Sequence, residues 1–258
     1  DLGFKRERVI IMPFFLRNPG LWSQQSAIRD EILRVPGVES ASVCHHRPGE
    51  GTIDFRKVHK DGGSPDGYKV VWTGIDSHFL ETFDVDLVYG RNIALDDRWT
   101  EPDGRWGINI LINETGARAV GWTPETSELL QFGRNGLVRI VGVVEDYHNQ
   151  SLHAGIIPMM LYPADRAKVV YARANADNLP STLEALGNAW KRFHPDRPFE
   201  YEFLNDRFDT FYRAEMTQRK IFTFFSVLAI VVGCLGTLGL VTYSARRRRK
   251  EMGIRKSL

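Results

Sequence analysis

The sequence predicts an α+β fold: a mixed-sheet extracytoplasmic domain of two strand-helix-strand subdomains, followed by one long α-helix that is first a stalk and then a membrane span. Three observations predict it. A charge-free apolar run lies near the C-terminus, a basic cluster follows it at once, and the periodicity of apolar residues before it switches twice from strand to helix and back. The expected boundaries are 1–204 for the outer domain, 205–220 for the stalk helix, 221–245 for the transmembrane helix and 246–258 for a cytoplasmic basic stub.

The first subdomain is read from Val9 to Met12, a short apolar run ended by Pro13. Leu21 to Arg34 then carries Ile28, Ile32 and Val35 at helical spacing and stops at Pro36-Gly37. Val38 to Cys44 alternates as a strand, so the order is strand, helix, strand, at about residues 8 to 45. The same order recurs at 168 to 204: Val169 to Ala172 as a strand, Ser181 to Phe193 as a helix with Leu183, Leu186, Trp190 and Phe193 on one stripe, then Phe199 to Phe203. Ile28, Ile32, Leu183, Leu186 and Trp190 are the expected core positions. Between the two units lie strand candidates at Thr52 to His59, Tyr68 to Gly74 and Arg139 to Val144, with turn signals at Asp61-Gly62-Gly63 and Pro65-Asp66-Gly67.

Ile221 to Ala245 contains no charged residue, and at 1.5 Å per residue it spans more than the hydrocarbon core of about 30 Å. Between Asn205 and Gly233 there is no Gly or Pro, and Phe208, Phe211, Tyr212 and Glu215 fall at helical spacing, so one unbroken helix is expected from stalk to membrane. Gly233, Gly236 and Gly239 recur every three residues, a row of small side chains against which another helix can approach closely.

Charge sets the orientation. From Arg246 to Leu258 there are seven Lys or Arg against one Glu, a local +6 in a chain whose formal total is +2, which leaves −4 on the rest. Arg246, Arg247, Arg248, Arg249 and Lys250, with Glu251 after them, directly follow the apolar run, so they mark its cytoplasmic end and set residues 1–220 outside. The same position argues against nucleic acid as the partner of this basic tail. Cys44 and Cys234 lie in different segments and are not expected to pair, and they do not report the redox compartment. Asp1-Leu2-Gly3-Phe4 has no signal-peptide pattern, so the sequence is expected to be a piece of a longer protein with a preceding transmembrane helix.

Little here carries chemistry. Glu145-Asp146-Tyr147-His148-Asn149-Gln150-Ser151-Leu152-His153 gathers two imidazoles and two carboxylates, but the histidines are five apart with the carboxylates before both, unlike a metalloprotease helix. His45, His46 and His59 have no spacing that joins them to it. Gly133-Arg134-Asn135-Gly136 lacks the Lys-Ser/Thr pair of a nucleotide loop, and no G-x-S-x-G elbow is present. No catalytic, cofactor or metal residues are assigned. Asp146 is instead expected to fix the turn after Val144 by accepting backbone N–H bonds.

Three stretches resemble the FtsX-like, MacB-type ABC transporter permeases of the variety with two extracytoplasmic domains. They are Arg249-Lys250-Glu251-Met252-Gly253-Ile254-Arg255-Lys256-Ser257-Leu258, similar to that family's R-x-K-E-[IM]-G-I-R-K stretch; Arg139-Ile140-Val141-Gly142-Val143-Val144-Glu145-Asp146-Tyr147-His148, similar to its G-V-V-x-D-[FY]-H turn; and Asp1-Leu2-Gly3-Phe4, similar to the segment opening the second outer domain. The resemblance implies a non-enzymatic permease subunit of the bacterial inner membrane, used for export or efflux by mechanotransmission. It also implies a cytoplasmic ABC ATPase that binds the ATP, packing against other transmembrane helices of the same permease, contact with the lipid bilayer and a dimeric assembly. Two other classes remain open on the residues alone: a membrane-anchored extracytoplasmic ligand-binding sensor, and an outer-facing hydrolase resting on His148 and His153.

Overall fold

A computed structural model describes residues 8–14, 19–46, 54–60, 67–126, 129–147, 155–175, 178–207, 221–238 and 240–241. The chain divides into two compact units, Asp1–Asp209 and Thr210–Leu258.

The first unit begins with β1 (Val9–Met12), a 3-10 turn over Pro19–Gln24, α1 (Gln25–Leu33) and β2 (Val38–Cys44). A long insertion follows: β3 (Phe55–Lys60), β4 (Tyr68–Ile75), α2 (Phe79–Phe83), β5 (Leu87–Gly90), β6 (Arg98–Thr100), β7 (Trp106–Asn113), α3 (Glu114–Val120), β8 (Leu130–Phe132), β9 (Gly136–Val144) and β10 (Met159–Pro163). The unit ends with β11 (Val169–Ala174), α4 (Leu179–Phe193) and β12 (Glu202–Phe203).

The two strand-helix-strand units are not two subdomains. Their strands interleave in one antiparallel sheet of order β12-β1-β11-β2, the split βαβ arrangement of ferredoxin-like domains. Each unit alone would leave its strands unpaired, because β11 sits between β1 and β2, and β1 sits between β11 and β12. The reason is the alternation itself. Ile10, Met12, Ala41, Val43, Val170 and Ala172 present one apolar face, and both α1 and α4 bury their stripes on it in a single cluster. Ile28, Ile32, Leu186 and Trp190 are buried there, and Leu183 packs at its margin, partly buried. Trp190 meets Phe14 edge to face at 4.8 Å between ring centroids. The turn from α1 into β2 packs against α4 at Gly37, whose φ of +87° and whose missing Cβ, which would fall 2.0 Å from Thr182 Oγ1, favour glycine.

The sheet's other face is buried as well, with Val9, Ile11, Ser42, Cys44 and Tyr171 all at 1% exposure or less. It is covered by α2, where Phe83 packs edge to face on Tyr171 at 4.9 Å and Arg173 Nε donates to Thr82 O at 2.9 Å.

The insertion is a barrel. Its pairings run β9-β8-β3-β4-β10-β7 and close on themselves through a parallel β7–β9 ladder, with β5 and β6 added beside β9 and β7. One face of all six ring strands supplies a single cluster, including Val58, Val70, Trp72, Met160, Ile110, Ile112, Leu130, Val138 and Ile140, which fills the interior. Ala117 and Val120 of α3 join that cluster. Phe132 and Tyr162 stack on either side of Trp72 at 4.5 and 5.0 Å.

Strand directions fix where the barrel is attached. β1 starts, and β11 and β12 finish, at the same end of the sheet, so residues 8 and 204 lie side by side there. The insertion departs after Cys44 and returns at Val169, which are register partners at the opposite end. The start of β1 and the end of β12 therefore lie at the pole of the sheet opposite to the one from which the insertion leaves.

The second unit holds one described helix, Ile221–Leu238. The expected stalk over 205–220 lies outside the described residues apart from 205–207, so its continuity with the span is not addressed by them.

Candidate functional site

The residues singled out for coupling and membrane orientation fall on the second unit. Ile221–Leu238 has a mean hydropathy of 2.4 with none of that window buried. Side chains such as Phe222, Ile230 and Leu240 stay more than 60% exposed, an apolar surface that water does not tolerate and a bilayer does. Among the described residues, a Cβ at Gly233 or Gly236 would meet nothing within 4 Å. Thr237 Oγ1 donates back to Gly233 O at 2.9 Å, which satisfies the hydroxyl within the helix. Gly239, Arg246, Arg247, Arg248, Arg249, Lys250 and Glu251 lie outside the described residues.

In the first unit the chemistry-bearing residues are tied into the fold. Asp146 accepts from Thr115 N at 2.8 Å, Thr115 Oγ1 at 2.6 Å, Asn113 Nδ2 at 2.8 Å and Arg118 Nη2 at 2.9 Å. Among the described residues the backbone N–H it takes belongs to the start of α3, thirty-one residues upstream; the turn that follows Tyr147 lies outside the described residues. Asn113 caps the same helix: its Oδ1 accepts from Gly116 N at 2.9 Å and from Met159 N at 2.8 Å. Glu145 Oε1 accepts from Asp86 N at 3.3 Å, and Tyr147 is buried, which pushes its phenol pKa well up. His148 and His153 lie outside the described residues.

His45 Nδ1 sits 2.9 Å from Arg166 O. Burial, with the neighbouring His45 and Lys168 adding to it, pulls His46 down to about 4, so it is neutral at physiological pH. Burial and the nearby Asp76 carboxylate push the Cys44 thiol up, which keeps it protonated and unreactive. Among the described residues no three His, Cys, Asp or Glu are grouped to hold a metal ion.

The feature that sequence reasoning missed is a buried polar junction between barrel and sheet. Asp76, 1% exposed, follows β4 and accepts from Ser42 Oγ at 2.7 Å, Val43 N at 3.1 Å, His78 N at 3.1 Å and Arg29 Nη1 at 3.3 Å. Burial raises its carboxyl pKa, and the bonds from Ser42, Val43 and Arg29 oppose that rise. Nearby, Gln25 donates to Ala164 O at 2.7 Å and accepts from Ala167 N at 3.0 Å, clasping the segment by which the barrel returns to β11. The only sequence signal was Asp76-Ser77-His78, an Asx-type start just ahead of α2.

No family model matches the sequence, and no curated protein matches it. Solved structures do. The periplasmic region of MacB from Actinobacillus actinomycetemcomitans aligns with a TM-score of 0.52 and 13% identity, over 81% of this chain and 94% of that one. The extracellular domain of the noncanonic ABC-type transporter YknZ from Gram-positive bacteria aligns at 0.49 with 15% identity, over 75% and 96%. A domain ascribed to a permease protein from Porphyromonas gingivalis aligns at 0.49 with 20% identity, over 77% and 90%. At these identities the likeness is one of fold, carried by the first of the three: the chain has the fold of the periplasmic region of MacB.

Proposed function

We propose that the chain is the extracytoplasmic domain and adjoining membrane helix of an ABC transporter permease, and that it transmits motion and catalyses nothing itself. In this reading a separate cytoplasmic ATPase binds and hydrolyses ATP, and the permease moves the outer domain in the inner membrane for export or efflux. The domain boundaries are those the sequence predicts, with 1–204 outside, 205–220 as stalk, 221–245 in the bilayer and 246–258 inside. Arg246 to Lys250 and Glu251 hold the inner end, and Gly233, Gly236 and Gly239 face another helix of the permease. The assembly is dimeric, nucleic acid is not a partner, and the chain needs no cofactor of its own.

The observation that supports this best is the coincidence of a MacB-like fold with an 18-residue apolar helix of mean hydropathy 2.4 in one chain. The start of β1 and the end of β12 at one pole of the sheet, with the insertion leaving from the other, fit a domain whose barrel moves.

The test uses the full-length protein in its own membrane. Cysteines placed at Glu184, on the exposed side of α4, and at Ser257 are challenged with a membrane-impermeant maleimide in intact cells. The reading expects Glu184→Cys to react, Ser257→Cys to react only after permeabilisation, and an ATPase with a Walker A loop to copurify. Inverted labelling, or copurification with a signalling transmitter in place of an ATPase, overturns it.

A further inference from the structure

Sheet edges need explanation, and β2 is one. Among the described residues it is the last strand of the four-stranded sheet, with β11 as its one strand neighbour. Its even-numbered residues face β11 in the ladder, as Lys168 N donating to Cys44 O at 2.8 Å shows, so the N–H groups of Val43 and His45 point out of the sheet. An edge of this kind invites pairing with another chain unless something covers it.

The barrel covers it in an unusual way. His45 N donates to Gly74 O at 2.8 Å, as it would to a neighbouring antiparallel strand. In that register the residue opposite Val43 is residue 76. By then the chain from β4 has left the strand path to begin α2, and the acceptor that meets Val43 N is the side-chain Oδ2 of Asp76 at 3.1 Å. The carboxylate stands where a main-chain carbonyl would, and its remaining lone pairs take Ser42 Oγ, His78 N and Arg29 Nη1. It thus binds β2, α1 and the start of α2 together at one point.

We propose that Asp76 is the positioning residue that locks the inserted barrel onto the four-stranded sheet, its carboxylate completing the edge ladder of β2. The inference does not rest on the transporter reading. An amide at this position would turn a donor toward a site supplied with four donors, so Asp76→Asn removes the lock while keeping side-chain size.

The experiment is amide hydrogen exchange on the full chain in nanodiscs, with spin labels at the exposed positions 103 and 184 read for their distance distribution. In Asp76→Asn the Val43 and His45 amides should exchange about tenfold faster, the size expected for loss of a charge-assisted bond, while those of Leu186 and Trp190 stay within about twofold. The distance distribution should broaden. If all amides accelerate together, Asp76 contributes only general stability and the proposal fails; unchanged Val43 and His45 amides defeat it as well. Should Asp76→Asn not fold, Ser42→Ala removes one of the four donors and must give the same selective pattern at smaller size, failing which the proposal falls.

Discussion

Replacing Asn113 with alanine is the sharpest test of how the barrel holds together. Asn113 is fully buried, and its amide bridges three elements. Oδ1 takes the N–H of Gly116 in α3 and of Met159 in β10, while Nδ2 serves Asp146 and Ile157 O. Alanine leaves two backbone donors without their acceptor, and each orphaned buried donor costs about 1–3 kcal/mol. Water reaching the vacated volume recovers part of that, so a net loss of about 3 kcal/mol is expected. A total stability of about 5–15 kcal/mol makes this a large fraction. The assay is urea unfolding followed by tryptophan fluorescence, since Trp122 lies just beyond α3 and beside the barrel core. Asn113→Asp provides the control: it keeps Oδ1 but turns a second carboxylate toward Asp146, at what was a 2.8 Å hydrogen bond, and should destabilise at least as much. An alanine variant within about 0.5 kcal/mol of the parent would refute the claim that this amide organises the barrel.

Three further outcomes follow from other places in the fold. Asp97 is held down to about 2, first by the hydrogen bonds from Arg91 at 2.7 Å, with Asn109 and the backbone N–H of Ala94 adding to it. A depressed carboxylate pKa stabilises the fold above the unfolded value of about 3.9 and ceases to do so as pH falls through about 2. Asp97→Asn should therefore cost about 1–2 kcal/mol at pH 6, discounted because the Arg91 side chain is 52% exposed, and the gap to the parent should close between about pH 4 and 2 in denaturant titrations. At Gly107 a Cβ would lie 1.9 Å from the Trp99 ring, which Glu101 and Arg139 hold in place, so Gly107→Ala should lose about 1–3 kcal/mol, and pairing it with Trp99→Ala should recover part of the loss in a double-mutant cycle. If the proposed permease reading and its stalk helix over 205–220 hold, Glu215→Pro should cost about 3 kcal/mol of local helix stability, leaving membrane expression and partner ATPase activity while abolishing export; export equal to the parent at equal expression would make the proposed stalk a tether only.

The strand-helix-strand order was legible because each piece carries its own period. Ile28 and Ile32 mark a helix face, and the alternation of Ala41 and Val43 marks a strand face, whatever lies next to them. Which strand edges meet is not a local property, and so two units that look like half-domains in sequence are one interleaved sheet in space. The barrel was legible only in pieces for the same reason: its closure is the pairing of Trp106 to Asn113 with Gly136 to Val144, parallel strands joined through α3 and β8. The helical start at Leu21 was too early, since Pro19–Gln24 takes a tighter 3-10 turn before α1 begins. A local cue for α3 existed in the Asn113 cap and the Gly121 stop, yet it is a seven-residue helix with too short a stripe to register. Asp146 could be singled out by its motif, but its partner Thr115 is distant in sequence, and no pattern tells a reader that Asp76 will serve β2.

The attachment of the barrel at the register pair Cys44 and Val169 has a consequence for how such a domain could be rebuilt. Partners across an antiparallel ladder stand about 5 Å apart, so a tight hairpin turn would rejoin the chain if the whole insertion were cut away. The remaining sheet would keep its order, its helices and both of its attachment points. It would also be bare: Val9, Ile11 and Tyr171 would meet water, and the outward N–H groups of Val43 and His45 would lose Asp76 and Gly74. The graft can thus be exchanged for another of any size without disturbing the base, on condition that the replacement brings its own lid for the sheet and its own acceptors for that edge.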